Sequence, residues 1–171
     1  MNIEKKLAEA INDQINAELW SAYLYLSMSL YWRGQGRQGV ANWFKVQARE
    51  EFAHAEIFMD YLHNRNGEVC LAPITEVKTS WSSLGETFAD TLAHEQSVTQ
   101  RIHNLYALAE EEKDYASRQM LNWYIAEQVE EEANVQEIID NLNLVGESGV
   151  GILQIDRELG ARTYTAPNIS K

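Results

Sequence analysis

The chain is 171 residues long, 45% hydrophobic and 23% charged, which fits one globular domain around one core. Its formal net charge of -12 argues against nucleic acid and anionic membrane as partners and in favour of cations, and no apolar run is long enough to cross a bilayer. The single cysteine, Cys70, has no partner for an internal disulfide, and the first residues enter an amphipathic pattern without the apolar stretch of a signal peptide, so the expected setting is the cytoplasm.

Helical spacing of apolar residues predicts a first helix from Ile3 to Arg33, closed by Gly34-Gln35-Gly36, and a second from Gln38 to Asn64, closed by Asn66-Gly67. A third runs from Ser83 to Glu111, with Ser83 and Glu86 forming a capping box at its start. Glu112-Lys113-Asp114 is a tight turn whose Asp114 caps a fourth helix, Tyr115 to Leu144. A short fifth helix spans Val150 to Leu159. Residues 1–162 are thus expected to form one bundle and 163–171 a mobile tail.

The connection from Asn66 to Ser82 is long for a bundle turn and carries Val69, Leu71, Ile74 and Val77. Extended, it reaches ~50 Å at about 3.3 Å per residue, whereas the second helix spans ~40 Å at about 1.5 Å per residue. It can therefore return the chain along the whole bundle and leave the second and third helices parallel. The expected fold is all-α: a four-helix bundle with one long crossover and a short fifth C-terminal helix.

Each of the four long helices places a carboxylate in the middle of its apolar face. In the first, Glu18 interrupts Leu7, Ile11, Ile15, Ala22 and Tyr25. The second reads Val40, Phe44, Gln47, Glu51, His54, Phe58, Leu62, with Glu51 and His54 neighbours at a spacing of three. Glu95 lies between Thr91 and Val98 in the third, and Gln128 and Glu131 between Tyr124 and Val135 in the fourth. Acids converging in a core cost several kcal/mol each unless compensated. These faces hold no Arg or Lys at that level, so a metal ion is the natural source of positive charge. Carboxylates with one imidazole and no thiolate disfavour structural zinc and pure calcium or magnesium sites and favour iron or manganese. So many carboxylates suit two ions sharing a bridge, and Glu51 is best placed to be it. A second apolar stripe on the first helix, Trp20, Leu24, Ser27 and Tyr31, predicts a face buried against another subunit.

On these residues the chain resembles the bacterial non-haem ferritins along nearly its whole length. The resemblance rests on Glu18 with Tyr25, on Arg49-Glu50-Glu51-Phe52-Ala53-His54, on His94-Glu95 and on Glu127-Gln128-Val129-Glu130-Glu131. It implies iron storage and a di-iron ferroxidase centre that oxidises Fe(II) with dioxygen or peroxide. Glu18, Glu51 and His54 match the first iron position, Glu95, Gln128 and Glu131 the second, and Tyr25 the tyrosine beside them. Glu50, Glu127 and Glu130, with Glu131, match a third iron site. It further implies a closed shell of twenty-four subunits. Bacterioferritins resemble it less: they carry a haem-ligating Met where this chain has Phe52, and a second Glu-x-x-His where it has Gln128-x-x-Glu131, so no haem is expected. Mini-ferritins lack the fifth helix, and rubrerythrins need four cysteines. A redox-silent structural or mineral-nucleating shell subunit and a monomeric di-iron oxygenase or peroxidase are the functional alternatives. His63, His94 and His103 are expected on the surface without a role.

Overall fold

The computed structural model of the chain describes residues 1–168. Its helices are α1 (Lys5–Gly34), α2 (Gln38–Asn64), α3 (Leu84–Glu111), α4 (Tyr115–Val145) and α5 (Gly149–Leu159), with no strand among the described residues. Side-chain caps fix where α3, α4 and α5 start. Ser83 accepts from the Glu86 N–H at 3.0 Å, Asp114 from Ser117 at 3.0 Å and Ser148 from Gly151 at 3.3 Å. The capping box of α3 closes one residue early, because the Glu86 carboxylate returns to the N–H of Ser82 at 2.6 Å. Residues 163–168 continue past α5 without regular structure, and the last three residues of the expected tail lie outside the described residues.

Side-chain pairs give the topology. Gln14, Tyr25 and Trp32 of α1 meet Arg101, Glu95 and Thr87 of α3 in reverse order. Gln47, His54 and Tyr61 of α2 meet Glu131, Tyr124 and Ser117 of α4 in reverse order as well. With α1 and α2 joined as a hairpin, α2 and α3 run parallel, and the long connection crosses the bundle.

That crossover is hydrogen-bonded along α1. Asn12 donates to the Glu68 carbonyl at 2.8 Å and accepts from the Cys70 N–H at 2.7 Å; Asn16 repeats the pattern one turn on with Cys70 and Ala72. Ser27 then donates to Lys78 O at 2.8 Å and Tyr31 to Trp81 O at 2.5 Å. The expected outer stripe of α1 is therefore corrected. Leu24 is only 7% exposed, and Ser27 and Tyr31 face the crossover of their own chain, because backbone groups in a strand-less loop need partners and α1 supplies them. Trp20 packs on His94 of α3 at 5.4 Å. The apolar side chains that α1 leaves uncovered are Tyr23 (49% exposed), Leu26 (42%) and Leu30 (61%).

The core has two apolar halves. One gathers Met28, Trp32, Phe44, Phe88 and Val135; the other gathers Leu7, Ile11, Phe58, Leu62, Ile102 and Leu121. Burying each such side chain contributes about 1.5–3 kcal/mol, which offsets the polar belt between the halves: Glu18, Gln47, Glu51, His54, Glu95, Gln128 and Glu131 are all buried.

Helix α5 docks on the start of α2. Asp156 accepts from the Val40 N–H at 3.0 Å, and Asn42 donates to the carbonyls of Gly160 at 3.3 Å and Arg162 at 2.9 Å. The backbones approach so closely at Gly39 that a Cβ there would lie 1.5 Å from the Asp156 carbonyl oxygen.

Candidate metal centre

The belt brings all four helices to one place. Glu18, Glu51 and His54 each offer a ligand atom, and these atoms lie within 4.8 Å of one another. Spacing explains it: Glu51 and His54 are three apart on the inner face of α2, and Glu18 faces them from the antiparallel α1. His54 Nδ1 sits 3.7 Å from Glu51 Oε2, while its Nε2 is buried without a hydrogen-bond partner among the described residues. Glu18 accepts from Gln14 at 2.8 Å through Oε1, and its Oε2 is likewise buried without a donor.

Across the belt, Gln128 of α4 donates to Glu95 Oε2 of α3 at 3.2 Å, and Tyr25 of α1 donates to Glu95 Oε1. Glu131 accepts from Gln47 at 2.8 Å, and the same amide group reaches Glu51 at 3.3 Å. Glu51 thus stands between the Glu18–His54 cluster and the Glu95–Gln128–Glu131 group. Tyr25 stacks on Phe44 at 6.0 Å and anchors the belt to one apolar half. Tyr124 stacks on Phe58 at 4.1 Å, donates to the His54 carbonyl at 2.7 Å and anchors it to the other.

The electrostatics are those of acids short of a cation. Burial, then repulsion from Glu51, raises Glu18 well above the usual carboxylate range. Burial, then Glu95 and Glu131, does the same to Glu51. Burial, then Glu95, pushes Glu131 up to about 8 against the opposing pull of the Gln47 hydrogen bond. Glu95 is raised by burial although Tyr25 and Gln128 both donate to it. Each shift favours the protonated form, for Glu131 up to about pH 8, and a divalent cation would replace such protons.

Glu50, Glu127 and Glu130 form an adjoining group nearer the surface. Burial raises both Glu50 and Glu127, and repulsion from Glu130 adds to each. Glu127 Oε1 approaches the free His54 Nε2 at 4.0 Å, which links this group to the belt.

The expectation of no cationic side chain at this level needs amending. Two arginines arrive, each separated from the belt by one glutamine. Arg101 of α3 donates to the Gln14 carbonyl oxygen at 3.1 Å, and Gln14 donates onward to Glu18. Arg162, beyond α5, donates to the Gln47 carbonyl oxygen at 2.7 Å, and Gln47 donates onward to Glu131 and Glu51. The glutamines had a readable signal, since each precedes its glutamate by four residues on a helix. Arg162 had none, because it lies 115 residues from Gln47. His94 is also corrected. It is half-buried rather than freely exposed: it bonds Ser21 at 2.8 Å beside Trp20 and Tyr25, and burial, with the Arg101 charge, lowers it to about 4. His63 and His103 are exposed.

Residues 8–145 match the model of the ferritin family, described as a ferritin-like domain. The chain is 38% identical over 162 residues to a protein of Staphylococcus aureus (strain USA300) named Bacterial non-heme ferritin, covering 95% of this chain and 98% of that one. It is 40% identical to the Staphylococcus saprophyticus protein of the same name, again over 162 residues, covering 95% and 97%. Among solved structures, it superposes on an open-pore ferritin from the hyperthermophilic archaeon Archaeoglobus fulgidus with a TM-score of 0.94 at 44% identity, covering 95% of this chain and 100% of the other. A form of that ferritin engineered to be closed gives a TM-score of 0.94 at 44% identity, covering 96% and 100%.

Proposed function

This chain belongs to the ferritin family, and on that footing we propose that it stores iron, oxidising Fe(II) to Fe(III) at the belt of acids in its own core. The observation that carries this reading is the pair of buried, unpartnered atoms, Glu18 Oε2 and His54 Nε2, in a group of raised-pKa carboxylates. Unsatisfied buried polar atoms are expensive, and a cation entering among them relieves both the desolvation and the mutual repulsion.

Iron is substrate here. Glu18, Glu51 and His54 take one Fe(II), and Glu95, Glu131 and the amide oxygen of Gln128 take the other, with Glu51 shared. Anionic oxygens stabilise Fe(III) over Fe(II) and so favour oxidation. Each Fe(II) gives one electron to dioxygen, or to peroxide. Protons leave the carboxyl groups as iron enters. Tyr25 holds Glu95 in place through its hydroxyl, and Gln47 and Gln14 hold Glu131, Glu51 and Glu18 through N–H groups. Glu50, Glu127 and Glu130, with Glu131, form a weaker third position through which iron passes on.

The ferric product collects inside a shell of identical subunits, which we take to be twenty-four in number and cytoplasmic. No helix among the described residues is long and apolar enough to cross a membrane. A groove of about 580 Å³ lined by Tyr23, Leu26, Phe52 and Ile74 offers a contact surface for a second copy. Haem has no thioether ligand there, since Phe52 stands after Glu51.

Anaerobic Fe(II) titration followed by oxygen tests the reading. The expected result is two tightly bound Fe(II) per chain, oxidised on exposure, with Glu51→Ala losing most of that binding. A Glu51→Ala variant that still binds both ions at parental affinity defeats the di-iron assignment.

A further inference from the structure

Among the described residues, Arg162 is the one part of this site that comes from outside the four long helices. Its guanidinium lies over the Trp43 ring at 4.5 Å, gives one arm to Gln47 at 2.7 Å and the other to Glu50 at 2.5 Å. Its own carbonyl is held by Asn42 at 2.9 Å. The residue is thus held at its backbone and at its guanidinium. An arginine is charged at every relevant pH, and its planar fork fits two acceptors at once.

We propose that Arg162 is a positioning residue for the third iron position: it occupies Glu50 as an internal cation, so that Glu50 joins Glu127 and Glu130 in taking iron only when the Arg162–Glu50 ion pair opens. This rests on the ferroxidase reading above and adds an order of loading to it.

Glu50 shares its surroundings with Glu127 and Glu130, both of which repel it, and with Arg162, which attracts it. An Fe(II) ion entering that group must compete with a guanidinium already in contact with one of its ligands. No guanidinium is in contact with the acids of the central pair: the other arm of Arg162 stops at the neutral Gln47 amide, and its charge reaches Glu131 only through space. The pair therefore fills first. Opening the Glu50 contact leaves the Gln47 and Trp43 contacts in place, so the arginine stays poised to reclaim Glu50 once iron has moved on. Arg101 on the opposite side lacks this function. Its contacts are the Gln14 side chain and the Asp13 carbonyl, and it touches no acid of the third position.

The test is anaerobic Fe(II) titration of the assembled protein as parent, Arg162→Gln and Arg162→Lys, resolving the third equivalent from the first two. Without the competing charge, Arg162→Gln binds the third Fe(II) about tenfold more tightly. Arg162→Lys tightens it less, because an ammonium keeps the charge but not the two-armed geometry. The first two equivalents are read in the same titrations, and any weakening of the pair there measures the loss of the Arg162–Gln47 contact, which only loosens the site. A gain in affinity separates this role from a merely structural one, since a loosened site weakens binding. Third-site affinity that is unchanged or weaker in Arg162→Gln overturns the proposal, and Arg162→Lys decides by the same criterion if the glutamine variant does not assemble. A parent that binds no pair of irons refutes the ferroxidase reading and takes this proposal with it. A normal pair with an unaltered third equivalent refutes this proposal alone.

Discussion

Gln47 on α2 donates its side-chain N–H to Glu131 on α4 at 2.8 Å. The bond joins the two helices at the level of the belt and opposes the upward shift of the Glu131 carboxyl. Replacing Gln47 with Leu keeps the volume but removes the donor from both Glu131 and Glu51. Binding of the Fe(II) pair at neutral pH is expected to weaken by about 10- to 100-fold, the range for losing a partner that orients a metal ligand. Calorimetric titration of the assembled variant measures it, and parental affinity would show that Gln47 is filler.

The raised carboxyls set a pH dependence with a definite sign. Glu131 binds its proton up to about pH 8 when folded, against an ordinary value of 4.5, and Glu18 and Glu51 shift the same way. Between these limits the folded state holds more protons than the unfolded chain. Metal-free stability therefore falls as pH rises from about 4.5 to about 8. Iron-free protein is expected to melt several degrees lower at pH 8 than at pH 5.5, and Fe(II) under anaerobic conditions should remove most of the difference. Melting curves that rise with pH across this window contradict the assignment of these protons.

Assembly should respond to the residues that are exposed rather than to the stripe covered by the crossover. Leu26→Glu with Phe52→Glu places two charges in the groove beside Tyr23 and Ile74. Light scattering should find species smaller than the parent shell, with helical circular dichroism retained. Leu24→Glu, at a site only 7% exposed, should instead lower the stability of the subunit itself by about 2–4 kcal/mol. Intact shells from the double variant would move the contact surface elsewhere.

Phe52 is 50% exposed in that groove and cannot ligate iron. Protein isolated from haem-replete cells is expected to lack a stoichiometric Soret band. Phe52→Met supplies a thioether at the same position and is the variant to compare by absorption spectroscopy. A full Soret band in the parent would refute the haem-free reading.

Gly39→Ala should undock α5 while sparing the bundle. The new Cβ would lie 1.5 Å from the Asp156 carbonyl oxygen, so backbone must move. A loss of about 1–3 kcal/mol is expected from such overpacking. Faster amide exchange should be confined to residues 149–162. Uniform exchange changes across α1–α4 would mean that α5 is integral to the core.

The sequence alone determined the helices, the caps Ser83 and Asp114 and the inward acids, because these follow from spacing along a single helix. A period of 3.6 puts Glu51 beside His54 and sets Glu18 among apolar neighbours wherever the helices pack. The length of the Asn66–Ser82 connection likewise fixed the parallel pair, since a short turn cannot cross a bundle. Tertiary structure decided which faces are covered and what lies around the acids. Both depend on contacts between distant segments, which have no period. Asn12, Asn16, Ser27 and Tyr31 hold the crossover against the stripe that looked outward. Arg162 reaches Gln47 and Glu50 only because Gly39 lets α5 approach α2 so closely.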